Sequence, residues 1–192
     1  VSVQRVFPPS SIVDDLAGKL SDAAKALKVG NAISEDVECG PLIRPAEVDR
    51  VAQWVEEARD GGATVLCGGE RLSETTYAPT VLLNPPADAT ISRNEVFGPV
   101  VCVYSYDDVD DAIARANSLD VSFQAAVFTN DLNAAMHTYR NINASAVMVN
   151  DHTAFRTDWM PFTGLKTSGH GTGGIPYTCH EMTIEKMIVI KG

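Results

Sequence analysis

The sequence predicts an α/β fold: a mostly parallel sheet of βαβ units flanked by helices, followed by an apolar strand at the C-terminus. Three observations predict it. Short, β-branched apolar runs alternate with longer stretches whose apolar residues recur at helical spacing. Glycine and proline clusters fall between them. The last third loses this alternation and becomes rich in Gly, Thr and aromatic residues.

The elements follow in order. Ser2 to Phe7 is an apolar run typical of an interior strand. From Ser10 to Leu27, residues Val13, Leu16, Leu20, Ala23, Ala24 and Leu27 form one helical stripe, with Ser11 and Asp14 in capping-box spacing and Gly30 beyond the end. Residues 29–41 have no period and read as a loop. Pro45 to Asp60 is a second helix with Val48, Val51, Trp54, Val55 and Ala58 on one face, stopped by Gly61-Gly62. Thr64 to Cys67 and Tyr77 to Leu83 are short strands, closed by Gly68-Gly69 and Asn84-Pro85-Pro86. A strand beginning at Val100 precedes a helix from Asp107 to Asn117, whose opening aspartates suit the positive end of the helix dipole. Then come a strand from Gln124 to Thr129, a helix from Asp131 to Asn141 and a strand from Ala146 to Asn150. Phe155 to Gly174 is an aperiodic loop, of a length usually tied to function. Ile184 to Ile190 reads as a terminal strand that needs a partner edge.

The totals narrow the function. At 192 residues the chain fits one domain, or one plus an arm, and can bury about 70% of its unfolded surface without disulfides or metal. A net charge of -10 argues against nucleic acid and anionic membranes as partners, since both need a basic face. Of the four cysteines, Cys67 and Cys102 fall in apolar strands and read as small buried hydrophobes. No pair of cysteines has C-x-x-C spacing and none lies at zinc-site spacing from a histidine, so no metal site is expected. Sparse cysteines, no signal peptide and no membrane-length apolar run read as cytoplasmic. The first residue is Val1, within an apolar run, which reads as a chain cut from a longer one.

The most informative segment is Asn94-Glu95-Val96-Phe97-Gly98-Pro99-Val100. Glu95 and Phe97 stand two residues apart on a loop leading into a buried strand. A carboxylate there can accept hydrogen bonds from a ribose diol, and a ring can lie against a flat heterocycle. By itself the pair also reads as a surface Glu and a core Phe. Further islands follow: Asn150-Asp151, Phe155-Arg156, Met160-Pro161-Phe162-Thr163-Gly164, and Lys166-Thr167-Ser168-Gly169-His170-Gly171. Gly40-Pro41-Leu42-Ile43, Gly68-Gly69 and Ala78-Pro79-Thr80-Val81-Leu82 precede them. In this order the islands resemble the C-terminal catalytic and oligomerisation portion of the aldehyde dehydrogenase superfamily, from Ser2 to about Ile190.

The resemblance implies oxidation of an aldehyde to a carboxylic acid with NAD or NADP, through a cysteine thiolate, a glutamate-activated water and an oxyanion held by a backbone N–H and an asparagine amide. It implies that Glu95 bonds the nicotinamide-side ribose hydroxyls and that Phe97 lies beside that ribose and the nicotinamide. Phe155 and Phe162 match positions lining the aldehyde tunnel. Residues 1–174 then form the catalytic-domain portion, and residues 175–192 an arm whose strand, Ile184 to Ile190, joins a sheet of a second subunit in a dimer or tetramer. Val1-Ser2-Val3-Gln4-Arg5-Val6 matches the segment after the nucleophile, which places that cysteine immediately before Val1 and leaves no catalytic residue in this chain. Cys39 and Cys179 are expected in loops without an adjacent base, and the neighbours Cys179 and His180 do not set up a triad. No G-x-G-x-x-G between a strand and a helix is present either, so the isolated chain is expected to be inactive.

Arg156 is the clearest substrate indication. An arginine beside the tunnel would clamp an anionic tail, and the surrounding string looks most like the lactaldehyde, phosphonoacetaldehyde and succinate-semialdehyde branch. Its other reading is a structural ion pair with Asp158 or another nearby carboxylate. Departures from the family pattern are Thr163 where Gly is usual, Thr172 in place of Arg, Asn94 in place of a second Glu, and no Gly before the Ala146 strand. The alternative function is a non-catalytic assembly or partner-binding module that retains the fold.

Overall fold

The computed structural model describes residues 3–192; the reading of Val1 and Ser2 as part of the segment after a nucleophile lies outside the described residues. These residues form two compact units, 3–112 and 113–192.

In the first unit the elements are β1 (Arg5–Val6), α1 (Val13–Ala26), α2 (Pro45–Asp60), β2 (Thr64–Cys67), β3 (Thr80–Leu83), α3 (Thr90–Arg93) and β4 (Val100–Val103). Their sheet has the order β1-β4-β3-β2. Strand β4 is parallel to both neighbours, with Arg5 opposite Cys102 and Thr80 opposite Val100. Only β2, joined to β3 at the edge, runs antiparallel. Central strands with both faces covered are apolar at successive positions rather than alternately, which is why Val100 to Val103 reads as an unbroken run. One face of the sheet presents Leu82, Val100 and Cys102 to Val48, Val51, Val55 and Ala58 of α2. The other presents Val81 and Val103 to Val13, Leu20 and Ala24 of α1. Buried Tyr104 donates to Ser92 Oγ at 2.8 Å, and its ring stacks on Phe7 with centroids 5.3 Å apart.

Helix α2 has the bounds its periodicity predicts, with Pro45 at its first position, where a missing N–H costs nothing. Helix α1 does not start where predicted. Its N-cap is Ile12, no side chain caps it, and Ser11 and Asp14 do not form a capping box. Helix α3 escapes prediction because one turn is too short to show a period. It is capped instead from α2: Glu57 Oε1 accepts from both the N–H and the Oγ1 of Thr90, each at 2.9 Å. These bonds hold the Glu57 carboxyl below its ordinary range.

Helix α4 (Val109–Asn117) carries the chain into the second unit, which contains β5 (Val121–Ser122), β6 (Gln124–Val127), α5 (Leu132–Asn141), β7 (Ala146–Val149), β8 (Leu165–Lys166) and α6 (Ile175–Glu181). Strands β6 and β7 are parallel and β5 and β8 antiparallel, each as a separate pair. Asp131 caps α5 by accepting from the Asn133 N–H at 2.8 Å. Two expectations are corrected. Residues 155–174 are not purely irregular, since they hold β8 and a bridge between Phe162 and Gly173. Cys179 sits in a helix, not a loop. Residues 184–190 form no strand within the chain: Ile184, Met187 and Ile190 are 94%, 85% and 83% exposed, because strand geometry needs a partner edge that the described residues do not offer.

Burial pushes the Cys102 thiol from its ordinary 9.0 up to about 11, and Tyr77 from 10.0 to about 12. The folded chain keeps these protons while the unfolded chain loses them, so this stabilisation is complete below pH 9.0 and drains as pH rises through about 11. Thermal denaturation between pH 8 and 11 is expected to show a Tm that falls from roughly pH 9 upward. In Cys102→Val the early part of that fall is expected to flatten.

Candidate functional site

The first unit carries an open cleft of about 640 Å³ lined by Leu42, Ile43, Glu47, Arg50, Trp54, Asn94, Glu95 and Phe97. Its geometry starts from Val96, which is 1% exposed and packs into the core cluster that includes Val48, Val51 and Val55 of α2. Val96 turns inward, and Glu95 and Phe97 on either side of it line the cleft, Phe97 with 75% of its surface exposed. The structure thus brings together the two residues predicted to serve one ligand.

The loop is fixed by side chains from two other elements. Gln4 Nε2 donates to the carbonyls of Asn94 at 2.8 Å and Ile91 at 3.1 Å, and its Oε1 accepts from the Val96 N–H at 2.8 Å. Arg50 Nη2 donates to the Val96 carbonyl at 2.6 Å. Arg50 also lies 4.4 Å from the centroid of the Trp54 ring and donates to Glu47 at 2.7 Å. Hydrogen bonds from Arg50 and Arg44 hold the Glu47 carboxyl below its ordinary range. Sequence reasoning missed Gln4 and Arg50, because neither spacing nor type marks a residue that bonds backbone 46 positions or more away.

Turn chemistry at Gly98-Pro99 also differs from a simple reading of the sequence. The left-handed residue is Phe97, with φ 46°. A bulky side chain there costs on the order of 1–3 kcal/mol, a cost tolerated where the surroundings over-determine the loop. Gly98 is needed for space instead: a Cβ would meet Val51 Cγ2 at 2.8 Å.

In the second unit Arg156 and Phe162 are in contact, with the guanidinium carbon 4.1 Å from the ring centroid. Phe162 meets Phe123 edge-on, with centroids 4.8 Å apart at 88°. Phe155 is 48% exposed. The expected alternative of an Arg156–Asp158 pair is not formed: among the described residues Arg156 has no carboxylate partner. A guanidinium over an aromatic face still has N–H donors to offer a carboxylate, phosphate or sulfonate.

Other residues of the C-terminal motif are architectural. Lys166, at φ 55°, donates through Nζ to the carbonyls of Asn117 and Leu119 at 2.7 and 2.6 Å, closing the end of α4. Ser168 Oγ accepts from the Ser122 N–H at 2.8 Å. Gly164 is required because a Cβ would lie 2.5 Å from the Ser168 backbone. Thr163, where glycine was expected, needs no left-handed backbone and donates to the Gly171 carbonyl at 2.7 Å. Asn150 bonds both the N–H and the carbonyl of Thr129 at 2.9 Å, joining the segments after β6 and β7.

No group of three or more His, Cys, Asp or Glu residues that could hold a metal occurs among the described residues. Within the same residues no helix is long and apolar enough to cross a membrane. Cys67 and Cys102 are buried, Cys39 is half-buried with burial raising its thiol, and Cys179 is exposed. Cys179 and His180 are successive on α6, and successive helix residues do not face each other.

Comparison with known proteins agrees with the sequence motifs. Residues 1–188 match the profile described as the aldehyde dehydrogenase family. The 3-sulfolactaldehyde dehydrogenase of Priestia aryabhattai is 42% identical over 190 residues, covering 99% of this chain. The chain spans 40% of the length of that curated relative. Aldehyde dehydrogenase 21 from Physcomitrella patens, solved with the reaction product succinate, superposes with a TM-score of 0.89 at 34% identity over 93% of this chain and 37% of its own. Glyceraldehyde-3-phosphate dehydrogenase GapN from Methanocaldococcus jannaschii, solved with NADP, gives 0.88 at 34% identity over 93% and 38%.

The cysteine placements predict an order of reactivity. With a thiol reagent at neutral pH, mass spectrometry is expected to find Cys179 modified first and Cys39 more slowly. Cys67 and Cys102 are expected to react only once the chain unfolds.

Proposed function

The chain belongs to the aldehyde dehydrogenase family, and from that premise we propose that it supplies the ribose-facing and substrate-facing surfaces of an NAD- or NADP-dependent dehydrogenase converting an aldehyde with an anionic tail to its carboxylic acid. The observation that carries this reading is the shared cleft wall of Glu95 and Phe97, on either side of buried Val96. A nicotinamide, when bound, accepts the hydride that leaves the substrate carbon. Glu95 would accept hydrogen bonds from the two hydroxyls of the adjoining ribose, and Phe97 would lie along the ring. An assembly module requires neither of them.

For the substrate, Phe155 and Phe162 provide apolar walls and Arg156 the anion clamp. Arg156 stands over Phe162 without a carboxylate partner among the described residues, which leaves its donors for a ligand. Similarity to an enzyme named for sulfolactaldehyde, and to one solved with succinate, supports a sulfonate- or carboxylate-bearing aldehyde.

The remaining assignments belong to the same reading. Residues 1–174 are the catalytic-domain portion and residues 175–192 an arm. The exposed, unpaired stretch Ile184 to Ile190 would join the sheet of a second copy in a homo-oligomer. Four unbridged cysteines favour the cytoplasm. None of the four is placed as the nucleophile, so turnover needs a thiolate, a general base and a dinucleotide fold from elsewhere in the complete enzyme.

Three measurements test the proposal. The purified chain is expected to give no NAD or NADP reduction with any aldehyde; measurable turnover refutes that part. In the full-length enzyme, Glu95→Ala should raise the Kd for the cofactor roughly tenfold, the scale of lost hydrogen bonds to a charged group. Arg156→Ala should raise KM for an anionic aldehyde by about tenfold or more while a neutral aldehyde of similar length changes little. Equal losses for both substrates would remove the clamp from the mechanism.

A further inference from the structure

The contacts of Gln4 fit no ordinary packing role. Its side-chain amide reaches the backbone on both sides of Glu95: Nε2 donates to the Asn94 carbonyl before it at 2.8 Å, and Oε1 accepts from the Val96 N–H after it at 2.8 Å. The second N–H of the amide goes to the Ile91 carbonyl in α3 at 3.1 Å. The orientation of the amide is fixed by its partners, since a flip would face oxygen to two carbonyls and NH₂ to an N–H. Only a primary amide of this length offers two donors and an acceptor in that arrangement. Glutamate would set a carboxylate against two carbonyl oxygens, methionine would make none of the three bonds, and asparagine is one methylene short.

The residue is itself tied down. The Gln4 carbonyl accepts from the Cys102 N–H at 2.8 Å, and the next residue, Arg5, pairs with Cys102 in the parallel ladder. The clamp therefore ties the loop before β4 to the start of β1, which is itself held by β4. On the other side Arg50 holds the Val96 carbonyl at 2.6 Å. The backbone of Asn94 and Val96 is hydrogen-bonded on both sides of Glu95, and the Val96 side chain is buried. A carboxylate that must meet two ribose hydroxyls at once gains from this, because orienting its backbone in advance removes an entropic cost from binding.

We propose that Gln4 is a positioning residue for the cofactor: through its bonds to Asn94 and Val96 it sets Glu95 and Phe97 against the nicotinamide-side ribose. This rests on the proposed ribose role of Glu95, and the experiment separates the two. In the full-length enzyme, cofactor Kd, adenosine diphosphate Kd and Tm are measured for Gln4→Met, Gln4→Glu, Glu95→Ala and Gln4→Met with Glu95→Ala. Adenosine diphosphate lacks the nicotinamide-side ribose, so its affinity reports only general damage. Gln4→Met is expected to raise cofactor Kd roughly tenfold with adenosine diphosphate Kd unchanged. In the Glu95→Ala background the same change should add less than about twofold, since coupled residues are not additive. Gln4→Glu keeps the bond from Val96 but faces a carboxylate to two carbonyl oxygens, so it should also raise cofactor Kd with adenosine diphosphate Kd unchanged; it carries the test if Gln4→Met does not fold. Equal weakening of cofactor and adenosine diphosphate overturns the proposal, as does an unchanged cofactor Kd in both Gln4 variants when Glu95→Ala shows its loss. An unchanged cofactor Kd in Glu95→Ala itself overturns the ribose reading and the positioning role with it.

Discussion

The burial of Val96 against α2 is the constraint on which the arrangement of the first unit turns. An apolar side chain at 1% exposure stabilises its position by about 1.5–3 kcal/mol and leaves the backbone around it little freedom. Glu95 and Phe97, on either side of the inward valine, line the cleft. The unfavourable φ of 46° at Phe97 and the close approach of Gly98 to Val51 lie in the turn that directly follows that valine. Both are the price of turning sharply from a buried valine into a buried strand. Gln4 Oε1, accepting from the Val96 N–H, and Arg50, donating to the Val96 carbonyl, then satisfy backbone groups that this geometry would otherwise leave unpaired.

Much of the fold is legible in the sequence because its signals are periodic. Helix α2 and strands β2, β4 and β7 have strong patterns, and Pro45, Gly61 and Gly68 punctuate them where chain geometry demands. The missed elements are those with too few residues to show a period: α3, α6, β5 and β8. Ser11 and Asp14 fail as a capping box because the chain arrives through a turn at Pro9, where the Ser10 N–H donates to the Tyr106 carbonyl at 2.7 Å. Local capping chemistry yields there to a long-range bond.

Legibility of the site divides differently. Glu95 and Phe97 are visible because a carboxylate and an aromatic ring flanking an apolar residue form a local pattern. Gln4 and Arg50, which hold them, act across 46 positions or more and leave no local mark. The reverse error also arises. Lys166, Ser168 and Gly164 stand in the same motif as Phe162 and carry the same apparent weight in the sequence. Yet they close a helix end, fasten β5 and admit a tight turn. A motif marks where the chain is constrained; only coordinates distinguish a constraint of architecture from one of ligand geometry.

That distinction bears on how the proposed anionic substrate would be selected beside a chain with a net charge of -10. At physiological ionic strength the screening length is about 8 Å, so most of that charge is muted at the distance of an approaching ligand. It slows the encounter slightly and does not decide the bound state. Selection must then be local, and Arg156 has the features a local selector needs. Its charge is unshared with any carboxylate among the described residues, and its guanidinium is oriented by the face of Phe162. Phe162 is oriented in turn by its edge contact with Phe123 and by paired backbone bonds to Gly173 at 2.8 and 3.0 Å. An arginine on a loop would ordinarily lose rotamer entropy on binding; one already resting on a fixed ring has lost much of it. Under the proposed reading, anion preference therefore depends on the aromatic pair as much as on the charge itself.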